Sequence, residues 1–123
     1  MTVSSVGDFA STGVLIDVRA ADRFRGESEP FDPIAGHIPG AVNLPSDQYM
    51  SGAYFRPVAE LRSIFDAAGV RDGVAAAAYC GSGITAAQAL FAAELAGLTL
   101  QIYPGSWSEW SNTPGAAIAT GRE

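Results

Sequence analysis

The sequence predicts an α/β fold, a central parallel sheet with helices on both faces. Three observations carry that expectation. Short apolar runs alternate with segments of helical period in the order strand, helix, strand, helix, strand; the runs have the short length of buried strands; and glycines stand at the junctions. Strands separated by helices are joined by crossovers, which makes neighbours parallel.

The elements follow in order. "VLIDVR" (14–19) is apolar and β-branched, follows a glycine, and is expected to be the first buried strand. From 20 to 47 the chain is rich in Pro, Gly and acids, with "GAVNLP" as a short strand; the rest is either an ordered functional loop or a flexible segment. "AELRSIFDAAGV" sets Leu61, Ile64, Phe65 and Ala68 at i, i+3, i+4 and i+7, and Gly69 suits the left-handed position after a helix end. "GVAAAAYC" is assigned to a strand on context, against the helix preference of alanine. Thr85 to Gln88 has capping-box spacing, so a helix is expected from Thr85 to near Gly97, and "LTLQIY" (98–103) as the next strand. "SWSE" repeats that spacing and predicts a short helix whose Trp107 and Trp110 pack into the core.

At 123 residues the chain is expected to form one domain, 1–123, and 48% hydrophobic with 16% charged residues is a globular composition. No apolar run reaches the roughly 18 residues of a membrane span, and "MTVSSVGDFAS" has no basic region before an apolar stretch, so a cytoplasmic location is expected. Seven arginines, no lysine and thirteen acids give a net charge of −6, which argues against nucleic acid or an anionic membrane as partner. An anionic ligand would need local positive potential, and Arg23 and Arg25 in "RFRGE" are the evident pair near the expected chemistry.

Ligands of parallel sheets bind beyond the carboxyl ends of the strands. Cys80, the one cysteine, is placed there, just before a helix. A lone cysteine makes no internal disulfide and no structural metal site, which leaves an inert buried thiol or a reactive one. The Gly-Ser-Gly that follows lets the backbone curl so that several N–H groups converge, and a helix N-terminus adds its dipole; both would lower a thiol pKa from about 8.5. Cys80 is therefore expected to be a nucleophile. A cysteine phosphatase is the nearest rival, but it wants an arginine six positions on, where this chain has Ala86.

"CGSGITA", with "DVRAADRFRGE", "GHIPGAVNLP" and "YPGSWSEW", resembles the rhodanese sulfurtransferases, and in particular the catalytic carboxy-terminal half of tandem-domain thiosulfate or 3-mercaptopyruvate sulfurtransferases. The resemblance covers nearly the whole chain in the right order. It implies a rhodanese-like fold and an enzyme that moves a sulfane sulfur through a Cys80 persulfide from a small anionic donor to a thiol or cyanide, with no metal or other cofactor. Under it the backbone N–H groups of Gly81, Ser82, Gly83, Ile84 and Thr85 cradle the outer sulfur, and the Ser82 hydroxyl hydrogen-bonds or relays a proton. Arg23 matches the family's substrate-contacting arginine. A second arginine of the mercaptopyruvate pattern is replaced by "GESEPFDP"; Arg25 either stands in for it or pairs with Glu27 or Glu29. Asp17 and His37 are implied to hold the fold together, Asp17 through a backbone N–H or Arg19. The alternative is a non-catalytic sulfur-carrier or protein-binding module that serves a partner, such as a second rhodanese-like domain.

Overall fold

A computed structural model describes residues 1–52, 54–81 and 84–121, with the backbone alone for Ile84. Four short strands, β1 (Val14–Asp17), β2 (Val42–Asn43), β5 (Ala76–Tyr79) and β6 (Gln101–Ile102), form one parallel sheet in the order β2-β1-β5-β6. A two-stranded antiparallel ribbon, β3 (Met50–Ser51) with β4 (Tyr54–Phe55), stands apart from it. The helices are α1 (Val3–Thr12), α2 (Ala21–Arg25), α3 (Val58–Ala67), α4 (Ile84–Leu95) and α5 (Ser106–Ser111).

Successive strand residues point to opposite faces, and this alternation divides the core in two. Ile16, Ala76, Ala78 and Cys80 join Leu61 and Phe65 of α3 and Ala86, Ala89, Ala92 and Ala93 of α4 on one side. Leu15, Ala77 and Tyr79 join Val6 of α1, Phe24 of α2, and Trp107 and Trp110 of α5 on the other. The expected parallel sheet with helices on both faces is thus present. The alanines of "GVAAAAYC" form a strand because register with β1 and burial on both sides override their helix propensity: Ala76, Ala77 and Ala78 pair with Val14, Leu15 and Ile16. Small residues on both β5 and α4 let helix and sheet approach closely.

Helices α3 and α4 end alike. Val70 N donates to Phe65 O at 2.8 Å and Gly69 N to Asp66 O at 2.9 Å; Leu98 N donates to Ala93 O at 2.8 Å and Gly97 N to Glu94 O at 2.9 Å. Gly69 takes φ +93°, the left-handed value expected from sequence.

Three expectations shift. Helix α4 begins at Ile84, so Thr85 lies inside its first turn and does not cap it. The strand expected over 98–103 pairs only at Gln101 and Ile102, because Leu98 N is drawn back to close α4 and the four-residue β5 offers few partners. Helix α1 and the β3–β4 ribbon were not expected, although Val3, Val6 and Ala10 of α1 stand at helical spacing on the side facing the core.

The 20–47 segment is ordered. Its anchor is a buried ion pair at the end of β1: Asp17 accepts from Arg19 N at 2.9 Å and from Arg19 Nη2 at 2.7 Å, while Nη2 also donates to Gly36 O at 2.6 Å. Burial alone would lower the Arg19 pKa, but the hydrogen bond and charge of Asp17 outweigh it and hold the pKa above its ordinary value. His37 is also buried, with Nδ1 2.6 Å from Phe24 O and its ring stacked on Phe24 at 3.6 Å. Asp17, through Arg19, holds the loop to the sheet, while His37 ties the loop to Phe24 and, by paired backbone bonds of 2.9 Å, to Ala119; both are structural roles, as the family resemblance implied. Gly36 cannot be otherwise: at φ +131° a Cβ would stand 2.5 Å from Ala119 O.

Candidate active site

Cys80 leaves the carboxyl end of β5 four residues before α4 begins. Beyond the sheet its backbone must find new partners, and α5 supplies them. Cys80 N donates to Ser106 Oγ at 3.1 Å, Trp107 N donates to Cys80 O at 2.9 Å, and Ser108 N donates to Gly81 O at 3.0 Å. The start of α5 is therefore docked on the cysteine loop.

Ser106 is the pivot of that contact. It is fully buried, and with φ 55° it is the one non-glycine residue at positive φ among the described residues. Such a conformation costs about 1–2 kcal/mol for a residue with a Cβ, and the surrounding bonds fix it. Its oxygen accepts from Cys80 N, and its single proton faces Tyr103 O at 3.0 Å and Cys80 Sγ at 4.0 Å. The capping-box reading of "SWSE" is corrected here: Ser106 turns toward the cysteine, and Glu109 accepts from Tyr103 Oη at 2.5 Å.

The thiol is 2% exposed and packs with the α3–α4 side of the core. Tyr49, fully buried, lies close enough that its phenol is pushed well above its ordinary pKa, by burial first and by the charge of Cys80 second. Exposure alone would suit an inert thiol. The polar groups gathered along Cys80 and Gly81 do not.

Arg23 is the chief of these groups. It sits on α2, beyond the carboxyl end of β1, and a Cβ built on Gly81 would be 3.3 Å from both its Nη atoms. Glycine at 81 thus allows the guanidinium to lie against the residue after the cysteine. The "GESEPFDP" segment wraps this arginine. Arg23 Nη2 is 3.2 Å from Glu29 Oε2 and 3.9 Å from Asp32 Oδ2, and its Cζ is 5.5 Å from the Phe31 ring centroid. Arg25 pairs at 2.8 Å with Glu27 on the surface, which lowers the Glu27 pKa through that hydrogen bond, so Arg25 does not stand in for a second substrate arginine.

Of the residues expected from sequence, the structure brings together Cys80, Gly81 and Arg23. Thr85 follows in the first turn of α4, half-buried, and Ile84 opens that helix. Ser82 and Gly83 lie outside the described residues. Ser106, Tyr49 and Ser108 were missed. Tyr49 had no motif to mark it, and the serines of "GSWSEW" passed as a helix start. A cleft of about 430 Å³ between Arg62 and Leu98 contains none of the expected residues.

The rhodanese-like domain family matches residues 5–113. The chain belongs to that family. It is 49% identical over 110 residues to a probable 3-mercaptopyruvate sulfurtransferase of Pseudomonas aeruginosa, covering 87% of this chain and 39% of that protein. It is 40% identical over 108 residues to the putative thiosulfate sulfurtransferase SseB of Mycobacterium tuberculosis, covering 87% and 38%. The rhodanese-like chain thus spans about two fifths of the length of these relatives, and the match to the relatives falls in their carboxy-terminal part. Among solved structures, a cysteine-persulfide form of EanB in a tetrahedral intermediate state with ergothioneine superposes with a TM-score of 0.88 at 26% identity, covering 98% of this chain and 32% of EanB. Among the described residues no helix is long and apolar enough to cross a membrane.

Proposed function

We propose that this rhodanese-like domain is a sulfurtransferase that works through a persulfide on Cys80. The observation that carries the reading is the convergence on one thiol of a strand end, a helix start, the Ser106 hydroxyl and the Arg23 guanidinium across Gly81. Relatives named as sulfurtransferases, and a neighbour described with a cysteine persulfide, support it.

In this mechanism the Cys80 thiolate attacks the outer sulfur of a donor. With thiosulfate, a bond forms between Sγ and that sulfur, the donor's S–S bond breaks, and sulfite departs with the bonding pair. With 3-mercaptopyruvate the C–S bond breaks instead and the carbon takes up a proton, leaving pyruvate. Arg23 meets the anionic part of the donor. The dipole of the twelve-residue α4 and the Ser106 hydroxyl stabilise charge on the sulfur, first as thiolate and then as persulfide. Cyanide or a thiol then attacks the outer sulfur and releases the Cys80 thiolate for another cycle.

The test is thiocyanate formation from thiosulfate or 3-mercaptopyruvate with cyanide, against a Cys80→Ser control. Turnover that requires Cys80 is the expected result; no turnover above the control with either donor overturns catalysis by this chain. Intact mass then separates the remaining cases. One added sulfur without turnover marks a carrier, and no added sulfur marks a binding module.

A further inference from the structure

The arginine that should attract an anionic donor is already matched by the protein's own acids. Glu29 is held for this task by its own turn, since Oε2 accepts from Phe31 N and Asp32 N, each at 3.1 Å, while lying 3.2 Å from Arg23 Nη2. Asp32 is fixed from the other side: Oδ1 accepts from Ser108 Oγ at 2.9 Å, and Ser108 N is bonded to Gly81 O. Asp32 Oδ2 is buried, has no hydrogen-bond partner among the described residues, and faces Arg23 at 3.9 Å. Around the approach to Gly81 two guanidinium groups, Arg19 and Arg23, thus stand against three carboxylates, Asp17, Glu29 and Asp32. The outermost member of this group is Phe31, whose ring is 82% exposed beside Arg23.

We propose that Glu29, Phe31 and Asp32 set donor choice, so that the site favours a singly charged sulfane donor bearing an apolar or aromatic group over the dianion thiosulfate. The inference rests on the sulfurtransferase reading and adds the donor class to it. Arg23 with Glu29 and Asp32 carries a local net charge of about −1, so a dianion is repelled about twice as strongly as a monoanion; replacing one donor oxyanion by a ring halves that net repulsion and gives Phe31 a surface to cover. For an aryl thiosulfonate the step balances. The Cys80 thiolate bonds to the outer sulfur, the donor's S–S bond breaks, and arenesulfinate leaves with the electron pair. Cyanide then removes the sulfur as thiocyanate.

Benzenethiosulfonate and thiosulfate differ in intrinsic reactivity, so the readout is how the ratio of their kcat/KM values changes on substitution, which cancels that difference. Glu29→Gln is expected to shift the ratio toward thiosulfate by about three- to tenfold, mostly through KM, and Asp32→Asn to shift it the same way. Phe31→Ala is expected to shift it toward thiosulfate by lowering only the benzenethiosulfonate value; the exposed ring can be removed without loss of fold. Ratios within twofold of the unmodified protein in Phe31→Ala and in whichever acid variants melt cooperatively would overturn donor selection while leaving the sulfurtransferase reading intact. If neither donor gives Cys80-dependent thiocyanate or adds sulfur to Cys80, donor selection falls; if 3-mercaptopyruvate fails as well, the sulfurtransferase reading falls with it.

Discussion

Ser106 offers the sharpest test of how the cysteine loop is held. Its oxygen accepts from the Cys80 amide at 3.1 Å and its proton faces Tyr103 O at 3.0 Å, all in a fully buried setting. Ser106→Ala removes the buried hydroxyl that accepts from Cys80 N, at a cost of about 1–3 kcal/mol. Serine and alanine share the Cβ, so the strain at φ 55° cancels in this comparison. In a domain of this length 1 kcal/mol corresponds to roughly 4 °C in Tm, so the variant should melt about 4–12 °C lower. Ser106→Gly loses the same hydroxyl but relieves the left-handed strain, and should recover about 1 kcal/mol, or roughly 4 °C, relative to alanine. Thermal unfolding by circular dichroism reads both values, and thiocyanate assays on the two variants should show comparable losses of rate, since both lack the hydroxyl beside the sulfur. An alanine variant that melts with the unmodified protein would show that Ser106 is not the partner of the Cys80 amide. A glycine variant less stable than the alanine one would refute the strain argument.

Other substitutions separate positioning from folding. Gly81→Ala sets a methyl 3.3 Å from the two Nη atoms of Arg23, and these flexible tips can give way; Tm should hold within about 2 °C while KM for an anionic donor rises about threefold or more. Asp17→Asn keeps the shape of the anchor but leaves the buried Arg19 guanidinium only the 3.4 Å contact with Glu29 as countercharge, and urea unfolding should show a loss of about 3 kcal/mol, the low end for a broken buried pair. The pKa of Tyr79 is raised by burial first and by Asp17 second, and those of Tyr49 and Tyr103 are raised chiefly by burial. The unfolded chain therefore loses these protons first: stability is full below about pH 10 and falls as pH rises beyond it, Tyr79 alone giving a slope of about 1.4 kcal/mol per pH unit. Urea midpoints at pH 9 and pH 11 check this; equal midpoints would contradict it.

Legibility differed between backbone and site for a physical reason. A strand or helix declares itself through periodicity, and the alanine-rich β5 through its place between two helices, so the sheet could be read from the chain. The position of Cys80 at a strand end was equally local. Its partners are not local. Ser106 lies 26 residues away, and "SWSE" fits a capping box as well as it fits a serine turned onto the cysteine; only the left-handed backbone at Ser106 decides between them, and composition does not signal a positive φ at a serine. Arg23 was legible as a basic group near the chemistry, but its charge was overcounted, since pairing with Glu29 depends on a turn that binds the same carboxylate to two backbone amides. From sequence, Glu29 was expected at most as a surface partner of Arg25. Once folded, Glu29 and Asp32 face Arg23 and offset its charge beside Gly81. The electrostatics of this rhodanese-like site are therefore a property of how its 20–47 loop folds back, and a donor preference read from the cysteine motif alone would leave out the part of the chain that most alters it.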